Sequence, residues 1–154
     1  MPHLPGVKSH PVRVEVLNGV NLDMLGRRDP DLYGRLTLRE LESRVYAWGN
    51  ELGVRVRCRQ TNHEGEYVEW LHEAVDMADG VVLNPGAWTH YSYAIRDAVE
   101  MLPVPVVEVH LSNVDEREGW RRVSVIADLA ALRIVGKGAE GYRQALEYLA
   151  QVER

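Results

Sequence analysis

Short β-type runs alternate with helical segments along nearly the whole chain, and this alternation restricts the fold more than any other feature. Residues 12–18, VRVEVLN, alternate Val with polar side chains and are predicted as a first strand. After a loop comes 37–53, TLRELESRVYAWGNELG, in which Thr37 and Glu40 have capping-box spacing. Leu38, Leu41, Val45, Trp48 and Leu52 recur there at helical intervals, and Gly53 is the stop. Residues 54–60, VRVRCRQ, form a second strand whose charged alternate positions suit a sheet edge. A second helix is expected over 64–79, with Val68, Leu71 and Val75 facing inward. The continuous apolar run opening 80–87, GVVLNPGA, fits a central strand covered on both faces. A third helix is predicted over 89–102, a fourth strand over 104–113, a fifth over 131–138 and a last helix over 139–153. Residues 114–130 show no clear period beyond one short helical piece.

This order predicts an α/β protein, a parallel sheet with helices on both faces. Five strands at this length imply a flavodoxin-like three-layer sandwich with strand order 2-1-3-4-5. The 154 residues are expected to divide into an N-terminal tail, 1–11, and a single domain, 12–154. A net charge of -5 offers no basic footprint for nucleic acid or an anionic membrane. No apolar stretch approaches the roughly 20 residues of a spanning helix, and the first residues lack a signal-peptide pattern. Cys58 is the sole cysteine, so no intramolecular disulfide framework exists, which fits a cytoplasmic protein. Its place within VRVRCRQ marks it as a strand residue rather than a nucleophile. Phenylalanine is absent, so Trp, Tyr and aliphatic side chains must fill the core.

In an open α/β sheet, ligands bind beyond the carboxyl ends of the strands, where the strand order reverses. That rule selects LNGVNLDMLGRRDPDLYG after strand one, LNPGAWTH after strand three and EVHLSN at strand four. These segments bring Asn18, Asn21, Arg28, Tyr33, Asn84, His90, Glu108, His110, Ser112 and Asn113 to one mouth. Guanidinium, imidazole and neutral hydrogen-bonding groups together suit a small oxygen-rich anion and proton transfer. Taken singly, each has a plainer role: Asn18 and Asn84 as turn formers, Tyr33 as a loop anchor, His110 as a core histidine, Arg28 as surface charge.

Competing motifs fail on spacing. GKGAEG, 136–141, matches G-x-G-x-x-G, but only 13 residues follow Gly141, leaving no second strand with the ribose-binding acid. It is read instead as a tight turn opening the last helix. No P-loop lysine pattern or metal-ligand spacing occurs, so neither a cofactor nor a metal is expected. Lysine appears only as Lys8 and Lys137, neither placed for Schiff-base chemistry.

Five blocks, LNGVNLDMLGRRDPDLYG, QTNHEGEYVEWLHEA, LNPGAWTHYSYAIRDAV, PVVEVHLSNVDERE and IVGKGAEGYRQALEYL, run in order from about residue 12 to 150. Together they resemble the type II 3-dehydroquinate dehydratases. The resemblance implies a metal-free, imine-free hydro-lyase of the shikimate pathway that converts 3-dehydroquinate to 3-dehydroshikimate. A proton next to the ketone is removed, and the enolate then expels a hydroxyl as water. Tyr33 matches the family's base and Arg28 the arginine that favours its anion, since a free phenol has a pKa of about 10. Asn21 matches the asparagine that holds a water at the enolate oxygen, His110 the general acid, and Glu108 its orienting partner. Asn84, His90, Leu111, Ser112 and Arg121 match substrate-binding positions, and Arg117 an arginine near the site. Asp97 matches an acid that reaches the site of a neighbouring subunit, which implies a homotrimeric unit and a homododecamer of four trimers. The 26–34 loop reads as a lid with Gly26, Pro30 and Gly34 at its bends.

The chain departs from the family pattern at NGVN, where Asn-Gly-Pro-Asn is usual, at DER before Glu118, and at VSV, 123–125, where His-Ser-Tyr is usual. These changes bear on loop packing and substrate affinity. The alternative reading is a flavodoxin-like binding or signalling protein. A flavin carrier calls for a Ser/Thr-rich phosphate loop after strand one, and a response regulator for an aspartate ending strand three. The chain has Leu and Arg in the first place and Asn84 in the second.

Overall fold

The computed structural model describes residues 10–152. Most of the expected N-terminal tail, including Lys8, and residue 153 of the expected last helix lie outside the described residues. Five strands, β1 (Arg13–Asn18), β2 (Arg55–Gln60), β3 (Gly80–Asn84), β4 (Val106–His110) and β5 (Leu132–Val135), form one parallel sheet in the order 2-1-3-4-5. β2 is an edge strand, as its alternating arginines require. β3 and β4 are buried along their whole length because helices cover both faces. Cys58 is a half-buried β2 residue, and burial pushes its thiol up to about 12, which keeps it an inert thiol at neutral pH.

A one-turn helix α1 (Pro30–Tyr33) interrupts the long first loop. Helix α2 (Leu38–Leu52) starts where Thr37 Oγ1 accepts from the Glu40 amide at 3.2 Å and Glu40 Oε1 accepts from the Thr37 amide at 3.3 Å. It ends at Gly53, whose φ of 69° lies in the left-handed region that favours glycine. Leu41 and Val45 are buried, but Leu52 is an exposed end residue rather than part of the core stripe.

Helix α3 (Glu64–Met77) buries Leu71 as expected, with Val68 packed at the core's edge, but Tyr67 and Ala74 complete its innermost stripe. Tyr67, Leu71 and Ala74 are buried, whereas Val68 and Val75 lie at the flank. The tyrosine ring fills the layer beside Trp88, and its hydroxyl donates to the Leu17 carbonyl at 2.9 Å.

The expected third helix divides in two. A 3-10 turn covers Gly86–His90, and helix α4 (Tyr93–Glu100) begins only where Ser92 Oγ accepts from the Ile95 amide at 3.1 Å. Residues 114–130 carry three short pieces: a 3-10 turn at Val114–Glu116, helix α5 (Gly119–Arg122) and a 3-10 turn at Ala127–Leu129. Helix α6 (Glu140–Ala150) follows the glycine turn, where Gly136 and Gly138 have φ of 73° and 56°.

Two apolar cores lie on opposite faces of the sheet. Val14, Val16, Val82, Val107 and Val109 pack with α2 and α6; Leu17, Val81, Leu83 and Val106 pack with α3 and α4. At the carboxyl ends, β1 and β3 approach closely. A Cβ on Gly19 would stand 2.3 Å from the Pro85 carbonyl oxygen, and the Gly19 amide donates to the Asn84 carbonyl at 2.8 Å. This contact sets the floor of the cleft.

Candidate active site

The cleft lies at the carboxyl ends of β1, β3 and β4 and opens to solvent. Asn21, Arg28, Tyr33, Asn84, His90, His110, Leu111, Ser112, Arg117 and Arg121 all line it. Three guanidinium groups in one cleft favour an anionic ligand.

Tyr33 ends α1, whose Asp29 N-cap accepts from the Asp31 amide at 3.0 Å and whose first helical residue is Pro30. Its phenol oxygen accepts a 2.6 Å hydrogen bond from Arg117 Nη1. Arg28 instead lies over the ring, with its guanidinium carbon 3.9 Å from the centroid. The arginine at the oxygen is therefore Arg117, and Arg28 acts on the ring face. Arg117 Nη1 also lies 3.4 Å from Ser112 Oγ.

His110 and Glu108 point the same way from β4. Their Nε2 and Oε2 atoms are 2.6 Å apart, and the carboxylate has no exposed surface. Burial alone would raise the Glu108 pKa. The hydrogen bond and charge of His110, the charge of Arg133 and the Ser124 hydroxyl outweigh it and hold the carboxyl below its ordinary range. Glu108 is thus an anion, Nε2–H donates to it, and Nδ1 is the ring nitrogen left for other partners. Ser124 Oγ donates to Glu108 at 3.0 and 3.1 Å. The VSV departure accordingly preserves the seryl contact, and the Val123 carbonyl accepts from His90 Nδ1 at 2.6 Å. Burial lowers the His90 pKa, so this ring is neutral and stacks 6.3 Å from that of His110.

Asn21 holds a left-handed backbone, φ 70°, which asparagine tolerates, and its amide donates to Asn62 Oδ1 at 2.8 Å. Gln60 Nε2 donates to the Gly19 carbonyl at 3.1 Å, so the end of β2 braces this loop. Asn84 is fixed from beneath. Its Nδ2 donates to Tyr142 Oη at 2.9 Å, and that hydroxyl donates to Asn18 Oδ1 at 2.6 Å. Burial pushes the Tyr142 phenol up and keeps it protonated for this purpose.

Three residues expected at the mouth lie elsewhere. Glu108 is buried behind His110 with no exposed surface. Asn18 is buried under the cleft as the Tyr142 acceptor, and Asn113 caps the following turn by accepting from the Asp115 amide at 3.2 Å. Asp97 is exposed on α4 and does not line this cleft. Ser124, Tyr142 and Arg133 were not singled out from sequence. Only Arg133 left a trace there, as a charge inside an apolar strand. Among the described residues, no group of three or more His, Cys, Asp and Glu side chains is placed to hold a metal ion.

Residues 12–150 match the family described as Dehydroquinase class II. The chain belongs to the class II dehydroquinase family. A 3-dehydroquinate dehydratase from Halalkalibacterium halodurans is 50% identical over 141 residues, covering 92% of this chain and 97% of that protein. One from Deinococcus radiodurans is 53% identical over 138 residues, covering 89% and 96%. The crystal structure of the type II dehydroquinase from Propionibacterium acnes superposes with a TM-score of 0.88 at 44% identity, covering 94% of this chain and all of that one. As a class II dehydroquinase the chain is a hydro-lyase with 3-dehydroquinate dehydratase activity, a step of the shikimate pathway. The reading as a binding or signalling protein is set aside by this match.

Proposed function

We propose that this chain dehydrates 3-dehydroquinate with Tyr33 as base and His110 as acid. One observation carries the reading: a phenol oxygen bonded to Arg117, under Arg28, shares its cleft with a buried imidazole–carboxylate pair. Tyr33 Oη, the base beside the Arg117 and Arg28 guanidinium groups, takes the proton from the carbon next to the ketone. The electron pair moves to the ketone oxygen, and a water held by Asn21 donates to that enolate oxygen. As the carbonyl re-forms, the carbon–carbon double bond forms and the carbon–hydroxyl bond breaks. His110 gives the leaving hydroxyl a proton from Nδ1, so water departs, while Glu108 holds the ring and balances its charge. Asn84, His90 and Arg121 hold the substrate's hydroxyl groups, and the Leu111 and Ser112 backbone receives its carboxylate.

The test is a spectrum. Adding 3-dehydroquinate to the purified protein raises the ultraviolet absorbance of the conjugated product, and prior treatment with borohydride and substrate leaves the enzyme active. Covalent trapping would mean an imine mechanism instead.

The working unit is a homotrimer in which Asp97 on α4 reaches the neighbour's cleft, and four trimers assemble as a cytoplasmic homododecamer. Exposed Tyr91 and Tyr93 on the same side of the fold, and Trp120 and Val123 on the segment packed beside it, support a subunit contact there. Light scattering is expected to give a twelve-chain mass; a fully active monomer would overturn the assembly.

A further inference from the structure

Arg133 joins the two halves of the site. It stands on β5 directly across from Glu108 in the sheet register. Its Nε donates to Glu108 Oε2 at 3.2 Å, the same oxygen that meets His110. Its Nη1 donates to both oxygens of Asp115 at 3.2 Å. Asp115 lies in the 3-10 turn Val114–Glu116, and the next residue after that turn is Arg117, the donor to Tyr33 Oη. One side chain therefore touches the carboxylate behind the acid and the turn that presents a guanidinium to the base. Arg133 is half-buried on the edge strand β5, and its guanidinium bridges the Glu108 and Asp115 carboxylates.

We propose that Arg133 is a positioning residue for the dehydration: it aims Glu108 Oε2 at His110 and, through Asp115, fixes the turn that carries Arg117. The inference rests on reading Glu108 and His110 as the acid pair. The groups that face Glu108 are His110 on β4, Arg133 on β5, the Ser124 hydroxyl and the buried Tyr67 phenol of α3. His90 and Arg121 lie beyond the His110 ring. Among the described residues, Arg133 is thus the one arginine or lysine in contact with this carboxylate. Its charge favours the ionised carboxylate, in keeping with the depressed Glu108 pKa.

Steady-state kinetics of the full chain across pH tests this. Arg133→Met keeps the unbranched apolar stem and removes the guanidinium with its charge. It is expected to lower kcat about tenfold with KM near the parent value, and to move the acid limb of the kcat profile upward by roughly one pH unit. The sign follows from the charge: without the cation, Glu108 takes up a proton at higher pH, and activity is lost sooner on acidification. Arg133→Lys keeps the charge and returns the limb to its parent position. A side chain that merely held the strand edge would change thermal stability and leave the limb in place. Arg133→Met with the parent's kcat and acid limb overturns the inference. Glu108→Gln, measured alongside, separates the two readings. If it lowers kcat while Arg133→Met changes nothing, Arg133 alone is excluded; if it too changes nothing, the acid-pair reading falls.

Discussion

Tyr33→Phe is expected to lower kcat by about 10²–10⁴-fold, or about 2.7–5.4 kcal/mol of transition-state stabilisation, while KM stays near the parent value. The substitution removes one oxygen. The ring remains under Arg28, whose guanidinium carbon is 3.9 Å from the centroid, so the loop keeps its packing. Arg117 loses its 2.6 Å partner at the phenol but keeps its approach to Ser112 Oγ. The proton acceptor disappears while the groups proposed to bind substrate stay in place, so kcat and kcat/KM should fall together. A deuterium-exchange assay sharpens the test. The variant should fail to exchange the hydrogen next to the substrate's ketone with heavy water. Retained turnover or retained exchange would assign the base to another group.

His110→Ala is expected to lower kcat by a similar factor of about 10²–10⁴ for a different reason. Tyr33 still forms the enolate, so exchange with heavy water continues, but the hydroxyl leaves without a proton donor. The two variants thus separate the steps, and loss of exchange in His110→Ala would contradict the assignment. This change also reaches the fold. Glu108 loses its 2.6 Å hydrogen bond while fully buried, which removes about 1.5–3 kcal/mol of stability at neutral pH. The carboxyl is depressed in the folded state, so its contribution is fully present above the unfolded pKa and is lost as pH falls through the folded one. Thermal unfolding should therefore show a gap between parent and variant at neutral pH that narrows on acidification.

Much of this site was legible in the chain because the residues that supply it sit at strand ends. Tyr33, Asn84, His90, His110 and Ser112 follow β1, β3 and β4, and a parallel sheet must bring those ends together. Other features were not legible, each for a physical reason. The expected α3 stripe of Val68, Leu71 and Val75 holds at Leu71, but hydrophobicity does not point to Tyr67, which is buried with its hydroxyl donating to the Leu17 carbonyl. The three short pieces in 114–130 have too few turns to show a period, and their form depends on side-chain caps and tertiary contacts. Asn18 and Asn84 occupy equivalent strand ends, yet only Asn84 lines the cleft. Tyr142, far along the chain on α6, accepts from Asn84 and donates to Asn18.

By itself the sequence determined the element order, the edge position of β2, the strand order and the family to which the chain belongs. The element and strand order follow from local periodicity, capping and the handedness of β-α-β connections, and the family from the resemblance of five ordered motif blocks, all encoded over short stretches. Only the tertiary structure decided which arginine bonds the phenol. Arg28 is five residues from Tyr33 and settles on its ring, whereas Arg117, 84 residues away, reaches the oxygen. The same holds for Arg133 and Glu108, 25 residues apart and adjacent only through the sheet register. Directional hydrogen bonds between distant segments depend on where the packed layers place each side chain, and no short stretch of sequence contains that information.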